Sequence, residues 1–141
     1  MKIEDLRKFL YLKYNPVVIT GFRRKALATN NEILAYLLGT TWKNDDGILC
    51  VEVEELYYPE LIVQNETTVQ AVGGRIKNCV GSIHSHPNVE AIGPSMEDHH
   101  SAILDNEIVW GVYYFSPPRK SGRRQTALQW LAPGKVVMVD K

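Results

Sequence analysis

The chain has 141 residues, the length of a single domain, and at this size about 70% of the unfolded surface can be buried without a disulfide or metal staple. Hydrophobic residues make up 45% and charged residues 23%, while 16 Lys and Arg balance 16 Asp and Glu to a formal net charge of zero. That balance excludes intrinsic disorder as a reading and disfavours a phosphate-tracking nucleic-acid binder, which carries a basic excess. No apolar run approaches the roughly 18 residues of a membrane span, and the charges in MKIEDLRKFLYLKYN do not suit a signal peptide, so a cytoplasmic domain with no membrane partner is expected. Cys50 and Cys79 form no Cys-x-x-Cys pair and read as reduced core thiols.

In chain order, Leu6, Phe9, Leu10 and Lys13 fall at helical spacing, predicting a helix over Ile3 to Tyr14 within an N-terminal extension, 1–15. Asn15-Pro16 reads as its stop. A short apolar piece, Val17 to Thr20, then leads to a second helix, Gly21 to Thr29, with Arg23-Arg24-Lys25 as a solvated face. From Glu32 the pattern turns to strands. Ile33 to Trp42 suits a strand buried on both faces, and Ile48 to Tyr58 alternates Val51 and Val53 with Glu52 and Glu54. Leu61 to Ile76 admits either a helix from Thr67 or a hairpin of Leu61–Gln64 against Val69–Val72. Further strands are expected at Cys79 to His84, Ile108 to Phe115, Gln125 to Leu131 and Lys135 to Val139, with a helix over Ser95 to Leu104. Ser116 to Arg124, with Arg119, Lys120, Arg123 and Arg124, reads as a solvated hairpin loop that is open to an acidic partner. The fold class expected is α/β (α+β mixed), with a curved central mixed sheet flanked by helices and a core over 17–139 of a single 1–141 domain.

The stretch that carries chemistry is His84-Ser85-His86-Pro87 followed, after seven residues, by Ser95-Met96-Glu97-Asp98. On a strand His84 and His86 share a face, and Pro87 ends the pairing beside them. Ser95 would start a helix whose first turn holds Asp98, so two imidazoles and a carboxylate can meet as an N/N/O set of the kind zinc uses catalytically. Taken singly, His-x-His also fits two half-exposed strand residues, and Ser95-x-x-Asp98 also fits a capping box. His99 and His100 follow Asp98 directly and read as flanking residues. Upstream, Glu32 is the only charge between Lys25 and Lys43, whereas Glu52, Glu54 and Glu55 sit in an exposed-looking strand.

The joint pattern resembles the signature of the JAMM (MPN-plus) family of zinc metalloproteases, isopeptidases that release ubiquitin or ubiquitin-like proteins. The match is at His84, His86, Pro87, Ser95 and Asp98, and the frame Glu32…Ala35…Gly39 fits the family's upstream motif, with Ala35 where glycine is more usual. The resemblance implies an MPN-type fold of cytidine-deaminase-like architecture. It also implies Zn²⁺ on His84, His86 and Asp98, Glu32 as general base, and Ser95 as donor to the oxyanion. The implied substrate is a ubiquitin-like protein conjugate or a peptide. Alternatives on the same scaffold are a hydrolase acting on a sulfur carrier or a cell-wall peptide, and a non-catalytic scaffold subunit. A zinc base deaminase would need His-x-Glu and Pro-Cys-x-x-Cys, which are missing.

Overall fold

The computed structural model describes residues 9–65, 69–71, 76–88, 108–118, 120–132 and 135–138. These residues are predominantly β, with a single helix among them, and this overturns the expected α/β (α+β) domain with a sheet flanked by helices, together with the MPN-type, cytidine-deaminase-like architecture that the resemblance implied. The strands are β1 (Phe9–Tyr14), β2 (Leu34–Lys43), β3 (Leu49–Tyr57), β4 (Leu61–Gln64), β5 (Val69–Ala71), β6 (Cys79–His86), β7 (Val109–Phe115), β8 (Thr126–Leu131) and β9 (Lys135–Met138). Helix α1 spans Pro16–Leu27. Strands β4 and β5 pair as a separate hairpin, settling the choice left open for that segment. The other seven form one sheet in the order β8-β7-β6-β2-β3-β1-β9. Its two outermost strands, β8 and β9, follow one another in the chain and touch, so the sheet coils until its ends nearly meet. The right-handed twist of strands makes that coiling the natural course for a sheet this wide.

The expected helix over Ile3 to Tyr14 is replaced, from Phe9 onward, by β1. Leu10 and Leu12 are buried and alternate with half-buried Tyr11 and Lys13, a period of two that the helical spacing had masked. The strand lies parallel to both neighbours, Leu12 pairing with Val51 of β3 and Met138 of β9. Asn15-Pro16 is correspondingly a helix start. The Asn15 carboxamide oxygen accepts from Val17 N at 3.1 Å, and Pro16 occupies the first turn, where its missing N–H costs nothing. Val17 to Thr20 therefore belongs to α1. Ile19, Phe22 and Ala26 are its buried stripe and join the main core with Leu10, Leu12, Val51, Val53, Ile83 and Phe115. Replacing the cap by Asn15→Ala is expected to lower stability by about 1 kcal/mol. Chemical denaturation of both proteins measures it, with Asn15→Ser retaining most of the difference.

Strand β2 is not buried on both faces along its length. Ala35 and Leu37 are buried, but from Thr40 to Lys43 the strand is exposed and Trp42 stands 46% open. The change coincides with register shifts at Leu37/Leu38 against β6 and at Leu38/Gly39 against β3. A Cβ at Gly39 would collide with the Glu52 carbonyl oxygen, so the bulge closes only around glycine. Cys50 is buried, but Cys79, at the start of β6, is exposed and not the core thiol expected. Strand β7 is buried throughout, as its run of Val, Trp, Tyr and Phe requires.

Candidate functional site

Strand β6 lies between β2, antiparallel, and β7, parallel. Ile83 and Ser85 point to the main core, which leaves His84 and His86 together on the opposite face. Both histidines are half-buried. Their Nε2 atoms approach to 3.0 Å, with ring centroids 4.9 Å apart and planes inclined by 53°. On β7 the same face presents Trp110, Val112 and Tyr114, a second buried cluster beside the histidines. Tyr114 pairs with His86 in the ladder and stacks on its ring, centroid to centroid 5.4 Å at 27°. That contact fixes the imidazole plane. The parallel register that creates it has no signature in the sequence.

Glu32 comes to this site from the other flank. Leu34 pairs with His84, and Ser85 N donates to Ile33 O at 3.0 Å, so Glu32 precedes the point where β2 joins β6. Glu32 itself is only 6% exposed. Its backbone is held from two directions. Glu32 N donates to Asn65 O at 2.7 Å and Gln64 Nε2 donates to Glu32 O at 3.2 Å, both from the end of the β4–β5 hairpin. Ile33 N donates to the buried Ser85 hydroxyl at 2.9 Å. Ser85, given no part in the chemistry by its place in the motif, is thus the residue that ties the Glu32 strand to the His strand. Just past the site Asn88 adopts a left-handed backbone, φ 55°, and its amide donates to Asn30 Oδ1 at 3.2 Å. The turn after Pro87 is thereby pinned to the segment entering Glu32.

Of the predicted site residues, His84 and His86 come together on one face of β6, and Glu32 is buried just ahead of the neighbouring strand β2. Asp98 and Ser95, together with His99, His100 and the helix expected over Ser95 to Leu104, lie outside the described residues. Among the described residues no group of three His, Cys, Asp or Glu side chains is arranged to hold a metal. Of the rival carboxylates, Glu54 and Glu55 are exposed on β3 as expected, whereas Glu52 is half-buried. The histidine pair does fit a metal by its own geometry. Tetrahedral zinc with Zn–N of about 2.0–2.1 Å sets two ligand nitrogens about 3.4 Å apart. The observed 3.0 Å needs only a small ring adjustment to reach that separation.

No protein-family profile matches the chain, and no curated protein matches its sequence. Among solved structures, protein DSY2949 from Desulfitobacterium hafniense is similar in fold, with a TM-score of 0.52 at 16% identity over 94% of each chain. The N-terminal domain of STIL from Trichoplax adhaerens gives a TM-score of 0.49 at 13% identity, over 76% of this chain and 37% of that one. Among the described residues no helix is long and apolar enough to cross a membrane. At these identities the likeness to DSY2949 concerns the fold alone.

Proposed function

We propose that the chain is a zinc-dependent hydrolase of JAMM type that cleaves isopeptide or peptide bonds, releasing ubiquitin-like modifiers from target proteins. The observation that carries the reading is the facing pair of His84 and His86, Nε2 to Nε2 3.0 Å, on a strand whose antiparallel partner β2 follows directly on the buried Glu32. His84 and His86 would hold the metal by their Nε2 atoms, with Asp98 added from the sequence motif as the third ligand. When bound, zinc supplies Lewis acidity that brings a water's pKa down to about 7. Glu32 would take the proton from the attacking water and return it to the departing amine. Ser95, from the same motif, donates to the oxyanion. Tyr114, stacked on His86, keeps the ring aligned, and Gln64, Asn65 and Ser85 hold the Glu32 backbone in place.

The test is direct. Purified protein is expected to contain one zinc per chain by elemental analysis and to cleave members of a panel of isopeptide-linked ubiquitin-like conjugates. A chelator should abolish the cleavage and added zinc should restore it. His84→Ala and Asp98→Ala should each lose most of the metal. Full zinc occupancy in both variants would remove the ligand assignment, and chelator-insensitive cleavage would remove the mechanism.

A further inference from the structure

On the core side of β7, Tyr113 and Phe115 lie with ring centroids 6.0 Å apart. Each carries an arginine. The Arg23 guanidinium of α1 stands 5.8 Å from the Tyr113 ring centre, and that of Arg124, in the β7–β8 loop, 5.2 Å from the Phe115 ring centre. One aromatic pair therefore draws together two basic segments remote in sequence. Arg24 and Lys25 are exposed beside Arg23, and Lys120 and Arg123 are exposed beside Arg124. Neither α1 nor the stretch 116–125 contains an Asp or Glu. In a chain of zero net charge these two segments concentrate basic side chains, and Arg124 Nη1 is buried with no acceptor among the described residues. The loop base is fixed, since Ser116 N donates to Gln125 O and Gln125 N to the Ser116 hydroxyl, each at 2.9 Å.

We infer that this face, formed by α1 and the β7–β8 loop, binds an acidic peptide segment of a partner protein, with Arg23 and Arg124 as its carboxylate anchors. A guanidinium stacked on an aromatic ring is already oriented, and its planar fork matches a carboxylate. The even charge balance of the chain favours acidic protein over nucleic acid. The surface lies on the other side of the sheet from His84 and His86, and the inference stands independently of the chemistry proposed there.

The experiment is fluorescence anisotropy with a labelled oligoglutamate peptide, run at low and high sodium chloride. Wild type is expected to bind, more weakly as salt rises. Arg23→Gln and Arg124→Gln should each weaken binding severalfold, and together about tenfold. Arg124→Lys should recover only part of the loss, because an ammonium keeps the charge but not the stacked fork. Lys43→Gln, on the exposed end of β2, should change nothing. Backbone amide shifts of labelled wild-type protein, which require no variant, should move in α1 and 116–125. Shifts spread over the whole surface, equal weakening by Lys43→Gln, or no salt-sensitive binding by wild type would each overturn the proposal. Tighter capture of an oligothymidylate would overturn it in favour of nucleic acid.

Discussion

Glu32→Gln is expected to keep its zinc and its folded structure while losing about 10²–10⁴ in turnover on an isopeptide substrate, the usual weight of general acid–base catalysis. The carboxamide has the volume of the carboxylate and still hydrogen-bonds water, but it cannot accept a proton near neutral pH. Two bonds that place residue 32 run through its main chain, to Asn65 O and from Gln64 Nε2, and the substitution leaves those intact. Glu54→Gln and Glu55→Gln, on the exposed part of β3, should be nearly silent in the same assay. Parallel measurement of kcat, metal content and thermal midpoint separates the possibilities. Wild-type turnover in the variant would move the role to another carboxylate, and loss of zinc would make Glu32 a ligand.

Gly81→Ala is expected to destabilise the protein by roughly 3 kcal/mol, at the upper end of overpacking effects. A Cβ at that position would strike the Val109 carbonyl oxygen, a backbone atom held in the parallel β6–β7 ladder that no rotamer change can move aside. Relief requires prising β6 from β7, three residues before His84, so zinc affinity should fall as well. The same exchange at Gly21 has the opposite sign. Gly21 lies inside α1 with open space around a prospective Cβ, and Gly21→Ala should stabilise by about 0.5–1 kcal/mol. Equal denaturation midpoints for the two variants would contradict both assignments.

Much of the strand pattern was legible because alternation is a local signal. Val51 and Val53 against Glu52 and Glu54, and the unbroken apolar run of β7, could each be read where they stand. The histidine pair was legible for the same reason, since His-x-His on a strand can only share a face. Glu32 stood out by its isolation among uncharged neighbours. What failed was non-local. Phe9–Tyr14 satisfies helical spacing and period two alike, and the choice is made by β3 and β9, which are distant in sequence. Asn-Pro punctuates either end of a helix, and only the partner of the Asn15 side chain decides which. The fold class was misjudged for this reason too, because coiling that brings β8 beside β9 leaves no local trace. Within the site, Tyr114 on His86 and Ser85 on Ile33 depend on ladder registers that composition and spacing do not encode.

The position of β1 has a consequence for how the chain assembles. It is the earliest of the described strands to leave the ribosome, yet both its partners come later, β3 after α1 and β2, and β9 after every other strand. Until β3 is made, β1 has a bare edge on each side, and the edge kept for β9 stays bare to the last. Pairings of such long sequence separation carry a large loop-closure cost before they are rewarded, so folding should be slow for a domain of this size. During that interval the half-built sheet offers open strands to other nascent copies, and crowding of unfinished chains becomes the hazard. Synthesis at lower temperature, or fewer chains made at once, should then raise the yield of folded protein without altering a single contact in the finished molecule.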